Sequence, residues 1–130
     1  MSEKIKNVRE LDVYKLAFEA AMEIFTITKA FPKEEQYSLV DQIRRSSRSV
    51  CSNLSESWRK RLYIAMFKNK ISDAMQEASE TQTWLEFSLA CKYIDNTTFN
   101  KLDNEYDHIL GMLNNMEMKS SSFCFSSLKK

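Results

Sequence analysis

The sequence contains 130 residues, of which only one is glycine and one is proline, and its formal net charge is +1. β-Sandwich and α/β folds need turn residues at frequent intervals, so this composition excludes them and predicts an all-α protein. The length suits a single domain with one hydrophobic core. Because the net charge is so small, any site for nucleic acid or a membrane must depend on a local basic cluster.

The cysteines and the apolar residues indicate the cellular compartment. Cys51, Cys91 and Cys124 are odd in number and lack metal-ligand spacing, which fits a reducing environment rather than a disulfide scaffold. The opening residues MSEKIKNVRELD contain no apolar signal segment. No apolar run approaches the roughly 20 residues that cross a bilayer. We therefore expect a cytoplasmic protein with no membrane partner.

Apolar residues at helical spacing predict four helices. The first helix ends at Pro32, because the helical conformation is disfavoured for a residue that precedes a proline. The second helix should begin within residues 33–36. Asp95, Asn96 and Thr97 are N-cap residue types and should separate the third helix from the fourth. The four stripes, in chain order, are Val13, Ala17, Ala20, Ile24, Ile27 and Phe31; Leu39, Ile43, Val50 and Leu54; Ile64, Phe67, Ile71, Ala74, Ala78, Thr81, Leu85 and Ser88; and Phe99, Leu102, Tyr106, Ile109, Leu113 and Met116.

Short loops between long helices predict an up-down-up-down antiparallel four-helix bundle over residues 1–118. Residues 119–130, KSSSFCFSSLKK, are serine-rich and lack heptad spacing, so we expect a tail outside the bundle. Deleting this tail should then leave the melting temperature nearly unchanged. Phe123, Phe125 and Leu128 would dock on a neighbouring subunit or a partner, and the alternative is disorder.

A second apolar row on the first helix suggests self-association. Tyr14, Phe18, Ala21 (or Met22) and Phe25 lie beside the main stripe. The third helix also carries apolar residues away from its stripe, namely Met75, Trp84, Phe87 and Leu89. A helix of a monomeric bundle needs one apolar stripe, so the extra rows predict a homo-oligomer. The alternative is a wide core helix with some exposed aromatic residues.

The stretch QIRRSSRSVCSNLSESWRKR, residues 42–61, is strongly basic, whereas residues 71–91 contain acids and no lysine or arginine. A helical hairpin that turns near Lys60 would place these two stretches side by side. Arginine is suited to bidentate pairing with carboxylates. In this register Arg48 lies near Asp73. Arg44 or Arg45 lies within salt-bridge reach of Glu77 or Glu80. The predicted charge seam consists of Arg44, Arg45, Arg48, Asp73, Glu77 and Glu80.

Arg59, Lys60 and Arg61 occupy the expected turn and have no acid nearby in the sequence. They are the candidates for binding nucleic-acid phosphates, especially if an oligomer repeats them around one rim. The alternative is that they are solvated turn residues. No aromatic interleaving or groove-reading motif predicts recognition of particular bases.

Catalytic and metal motifs are incomplete. Glu105 and His108 form one E-x-x-H motif, whereas a di-metal bundle needs two such motifs and two further glutamates, and the chain has one histidine. That histidine also lacks the neighbouring arginine of the R-x(4–6)-H motif of helical ribonucleases. There is no glycine-rich phosphate loop and no base for a serine or cysteine nucleophile. We therefore predict no enzyme, no catalytic, cofactor or metal residue, and no small-molecule substrate.

Several segments together resemble one family. The first helix has the pattern LxVYxxA at residues 11–17. It is followed by residues 31–56, which resemble FPKEExYxLxxQIRRxxxSVxxNLxE, and by EAxETxxWLE at residues 77–86. Met112, Leu113 and Asn114 match a common ending. Over residues 9–118 the chain resembles the four-helix bundle family of 23S rRNA-intervening-sequence (S23) proteins, and through it the accessory proteins of diversity-generating retroelements.

The resemblance implies a homo-oligomer, typically a five-fold ring, without catalytic activity. For the retroelement group it also implies a reverse transcriptase and nucleic acid as partners. Two functions follow. The first is a non-enzymatic oligomeric bundle that binds nucleic acid, or an enzyme acting on it, through basic turns. The second is a protein-binding scaffold without affinity for nucleic acid. Steep salt dependence of RNA or DNA binding would distinguish the first from the second.

Overall fold

The computed structural model describes residues 5–125, which form helices and loops without a β-strand in that range. The α-helices are α1 (Asp12–Thr28), α2 (Leu39–Arg59), α3 (Ile64–Ala90), α4 (Asn96–Met118) and the short α5 (Ser120–Phe123). Two 3-10 helices, Val8–Glu10 and Lys33–Glu35, precede α1 and α2. The predicted all-α class is confirmed.

The four long helices form a bundle in which each helix packs against two others. α1 contacts α2 and α4, α3 contacts α2 and α4, and the pair α2–α3 is the most extensive. Short connections between successive helices make neighbours antiparallel, so the predicted four-helix bundle is confirmed. One end of the bundle therefore gathers the start of α1, the loop at residues 60–63 and the end of α4.

The interior of the bundle consists of the predicted stripes. Fully buried side chains from all four helices meet there, among them Ile24, Leu54, Phe67 and Tyr106. Ile64 is an exception, since it is the first residue of α3 and is 41% exposed. The predicted start of α2 is also early, because residues 33–35 form a 3-10 helix and α2 begins only at Leu39.

The opposite end of the bundle is closed by a separate apolar cluster of Phe31, Leu39 and Val40. The Tyr93 ring packs on Phe31, and its hydroxyl donates a 2.9 Å hydrogen bond to the Glu35 carboxylate. This hydrogen bond raises the pKa of Tyr93 to about 12. Asp95 begins α4 as its N-cap by accepting a hydrogen bond from the Thr98 backbone N–H, as its residue type predicts.

None of the helices within residues 5–125 combines the length and apolarity needed to span a bilayer.

Candidate nucleic-acid interface

A basic pocket lies at the end of the bundle that carries the 60–63 loop. This cavity of about 380 Å³ is lined by Lys6, Arg9, Arg59 and Arg61 around Trp58, with no carboxylate among its lining residues. We call these five residues the basic pocket. Two segments far apart in the sequence supply its cations, which concentrates positive charge locally in a chain of nearly neutral net charge.

The 3-10 helix before α1 positions the N-terminal cations. Val8 and Leu11 are buried in the core and anchor this segment against the bundle. The Asn7 side chain accepts hydrogen bonds from the backbone N–H of Arg9 at 3.0 Å and from the Arg9 Nε at 3.2 Å. The Asn7 side chain, which caps this short helix, therefore holds the Arg9 guanidinium in place beside the pocket.

Arg61 is the most constrained cation of the pocket. Its guanidinium carbon lies 3.7 Å from the centre of the Trp58 ring and 4.6 Å from that of Phe125. Its Nε donates a 2.8 Å hydrogen bond to the Trp58 carbonyl, and burial lowers the pKa of Arg61. Within residues 5–125 its two Nη groups make no hydrogen bond, so they are available to a ligand.

The three cations predicted for the turn do not all lie in the basic pocket. Arg59 is exposed at the end of α2, and both Arg59 and Arg61 line the basic pocket. Lys60 is the C-cap residue of α2 and is not part of the pocket lining. Lys6 and Arg9, which the sequence analysis did not select, complete the cluster. The sequence carries no charge signal for them, since residues 1–12 contain three acids and three bases, and the proximity of this segment to the turn is a tertiary feature.

Residues 120–125, which we call the C-terminal strap, cross this end of the bundle. The Phe123 ring stacks on Phe67 with 6.1 Å between ring centres, and Ser120 is buried. The Phe125 backbone N–H donates a 3.0 Å hydrogen bond to the Arg61 carbonyl. The expectation that the tail lies outside the bundle is thus wrong for the strap, because Phe123 packs against apolar residues of the same chain. Leu128 lies outside the described residues.

A second cavity, of about 590 Å³, lies between the basic pocket and the strap. It shares Lys6, Trp58 and Arg61 with the pocket and is also lined by the strap residues Phe123 and Phe125. Trp58 is only 7% exposed, and its indole Nε1 has no hydrogen-bond partner within the described part of the chain. An unpaired buried donor beside two cavities marks a place where a ligand acceptor would be favourable.

The predicted charge seam is corrected for Arg44 and Arg48. Arg44 turns towards α1, where it donates hydrogen bonds to the Thr28 Oγ1 at 2.9 Å and the Phe25 carbonyl at 3.2 Å. The guanidinium groups of Arg44 and Arg48 lie 4.6 and 5.7 Å from the centre of the Phe25 ring. An aromatic face and a helix carbonyl thus replace the expected carboxylates.

The contact between α2 and α3 has a different register from the predicted one. The hydroxyls of Ser46 and Thr81 lie 2.8 Å apart, and Lys70 pairs with Glu56 at 2.7 Å. Each α2 residue thus faces an α3 residue about six or seven positions later than expected, because α3 begins only at Ile64. Small serines at the contact let the two backbones approach closely.

The acids of the predicted seam have other neighbours. Asp73 lies 3.8 Å from Lys70. The pKa of Glu77 is raised, first by burial and then by Glu80 and Asp73, while Arg45 opposes this effect. Among the described residues no ion pair within 4.0 Å joins the three predicted arginines to the three predicted acids. Of the three predicted arginines, Arg45 is the one that acts on the pKa of Glu77.

An apolar groove between α1 and α2 adjoins the basic pocket. Phe18 and Met22 are 50% and 47% exposed, and together with Tyr14 and Ala21 they line a cavity of about 590 Å³. Large apolar side chains at this level of exposure in one row are unusual for an isolated soluble bundle. The groove contains the second apolar row predicted on the first helix except for Phe25, which lies against Arg44 and Arg48.

The residues described hold no group of three or more His, Cys, Asp or Glu side chains that could bind a metal ion. Glu105 of the E-x-x-H motif pairs instead with Lys101, and His108 is exposed. The arrangement at the basic end thus offers charge, hydrogen-bond donors and aromatic faces rather than a nucleophile with a base.

Fold and site together define a small all-helical bundle with a basic, aromatic pocket at one end. A family model described as 23S rRNA-intervening sequence protein matches residues 9–115, so the chain belongs to this family. A comparison with curated proteins found no match. The chain is similar to a crystal structure from Bacteroides thetaiotaomicron, described as a protein with unknown function from the S23 ribosomal protein family. The two share 28% identity and a TM-score of 0.74 over 82% of this chain and 95% of the other.

Proposed function

We propose that this protein is a non-enzymatic, homo-oligomeric helical bundle that binds nucleic acid through the basic pocket. The observation that carries the proposal is the pocket itself: four cations from two distant segments surround Trp58, and no carboxylate lies among them. Phosphate groups of RNA or DNA are the common cellular ligands that match such a cluster. The family description, 23S rRNA-intervening sequence protein, also names a nucleic acid.

One protomer offers few contacts, and this limits its affinity. About four phosphate contacts to a single strand would give a salt slope of about −3 in log K against log salt. Affinity of that kind is marginal for one subunit, but an oligomer that presents several pockets to one strand gains from effective concentration. The proposal therefore includes self-association.

We infer that the apolar groove of α1 and α2 is the surface through which copies assemble, and from the family resemblance that the assembly is a pentamer. Phe18 and Met22 support this inference, because burying two large side chains that are about half exposed favours association. Light scattering at micromolar concentration should give several times the chain mass. The variant Phe18→Glu should shift the mass towards a monomer. Tyr37→Glu, which changes an exposed aromatic residue before α2 and outside both apolar rows, should not.

Nucleic-acid binding is tested with a charge-matched pair of double variants. The site variant combines Arg9→Gln and Arg59→Gln, and the control combines Lys33→Gln and Lys68→Gln, two exposed lysines outside the pocket. A dye-labelled single-stranded RNA is titrated by fluorescence anisotropy across a range of salt concentrations. The site variant should lose about tenfold or more in affinity, and its salt slope should fall by about 1 to 1.5 per engaged protomer.

The control variant should match the wild type in both affinity and salt slope, and both variants should keep the wild-type assembly and melting temperature. Equal losses in the two variants would show non-specific attraction and refute the pocket. Failure of the wild-type protein to bind at about 50 mM salt, where phosphate contacts are strong, would remove the nucleic-acid function. A protein-binding scaffold, which the exposed groove residues Phe18 and Met22 favour, would then be the better interpretation.

A further inference from the structure

Three side chains at the basic end form a layered stack. The Arg61 guanidinium is flanked by the Trp58 ring at 3.7 Å and the Phe125 ring at 4.6 Å. Trp58 belongs to α2 and is 7% exposed, whereas Phe125 is 56% exposed and follows the short helix α5. The inner layer of the stack is thus part of the core, and the outer layer is a surface residue.

The outer layer is weakly held. Within residues 5–125, Phe125 is attached through one backbone hydrogen bond, from its N–H to the Arg61 carbonyl at 3.0 Å, and through its ring on the guanidinium. Phe123, by contrast, is anchored on Phe67 in the interior. A hinge after Phe123 would therefore release the Phe125 ring without disturbing the bundle.

We propose that an unpaired nucleobase takes the position of Phe125 on the Arg61 guanidinium, so that the basic pocket selects single-stranded nucleic acid over a duplex. The inference rests on the nucleic-acid function proposed above and names the kind of ligand. Bases stack on arginine planes and on aromatic rings with little sequence preference. A paired base inside a duplex presents only its edges in the grooves and cannot offer its face.

The surroundings of the stack suit a nucleotide. Arg9, Arg59 and Arg61 line the adjoining pocket, where the flanking phosphates would sit. The Trp58 Nε1–H, which lacks a partner within residues 5–125, could donate to an acceptor of the ligand after a small adjustment. The cavity of about 590 Å³ under the strap is large enough for a base.

Because the strap and the base compete for one face of Arg61, removal of the Phe125 ring should increase binding. Only protomers with the strap open can stack a base, so the apparent affinity is reduced by the open fraction. Phe125→Ala should raise the affinity for single strands about threefold or more. Arg61→Lys keeps the charge but loses the plane, and should lower single-strand affinity about tenfold or more, in line with stacking on a planar group.

The experiment compares a dye-labelled oligouridylate with a labelled RNA duplex of equal length, using the full-length oligomer. Both variants should leave duplex affinity within about twofold of the wild type, since a duplex contributes phosphate contacts alone. Tyr37→Ala, which removes an exposed aromatic ring at the opposite end of the bundle, is the control and should change neither affinity. Melting temperatures confirm that each variant is folded.

A second readout uses Trp58 directly. Trp58 and Trp84 are the two tryptophans of the chain, so Trp84→Phe leaves Trp58 as the reporter, and oligouridylate but not duplex should change its emission. The stacking site would be refuted if Arg61→Lys and Phe125→Ala changed the affinities for single strands and duplexes equally. It would also be refuted if oligouridylate left the Trp58 emission unchanged. Either result would still be compatible with phosphate binding. If the wild type binds neither probe, the proposed function fails as well.

Discussion

Replacing Phe123 with alanine tests whether the residues after α4 belong to the folded core. The ring stacks on Phe67, which is fully buried, and Phe123 itself is partly buried. A fully buried Phe→Ala change costs about 3–5 kcal/mol, so a partly buried ring at the edge of the core should cost roughly half, or about 2 kcal/mol. For a chain of this length that loss corresponds to a fall in melting temperature of about 6–8 °C.

The measurement is thermal denaturation followed by circular dichroism, with the oligomer concentration held constant. Ser121→Ala changes an exposed residue of the strap, and Met118→Ala changes an exposed residue just before it. Both variants should stay close to the wild type. Deletion of residues 120–130 should lower the melting temperature at least as much as Phe123→Ala does. If both the deletion and Phe123→Ala melt within about 1 °C of the wild type, the strap contributes nothing to the core and the original tail interpretation was right.

Three further predictions concern the bundle. Arg44→Ala should lower the free energy of unfolding by about 1.5–3 kcal/mol because it removes charged hydrogen bonds to α1. Arg45→Ala, which changes an exposed neighbour, should alter it by no more than about 0.5 kcal/mol. Equal losses for the two variants in chemical denaturation would contradict this prediction. Tyr106→Phe should raise the free energy of unfolding by about 1 kcal/mol, since the buried hydroxyl has no partner within residues 5–125, and a loss of stability would refute this. Burial raises the pKa of the Cys51 thiol to about 11, so the thiol of the unfolded chain ionises first and stability should be lost as the pH rises above about 8.5. Cys51→Ala should weaken this pH dependence, and an unchanged profile would contradict the argument.

Much of the fold could be predicted because helix formation and burial are local. The stripes through Ile24, Leu54, Phe67 and Tyr106 repeat at helical spacing, and the structure buries all four side chains. Asp95 caps α4 for the same local reason, since its side chain needs only the N–H three residues ahead.

The site was predictable only in part. Arg59 and Arg61 were visible as a basic turn, but Lys6 and Arg9 come from another segment, and their approach depends on the anchoring of Val8 and Leu11 in the core. The sequence likewise shows that Phe123 and Phe125 are apolar residues in a serine-rich segment, but not that Phe67 and Arg61 provide surfaces for them.

What the sequence by itself determined is the set of helices, their buried faces and their order around the bundle, because these follow from periodic patterns and short loops. Only the tertiary structure decided which partner each long charged side chain takes. Arg44 contacts Phe25 and Thr28 rather than the acids of α3. The reason is that the four-residue loop at 60–63 shifts the register of the hairpin and turns this arginine towards α1. A periodic pattern specifies a helix face, whereas pairing between helices depends on the length of a turn and on distances through space.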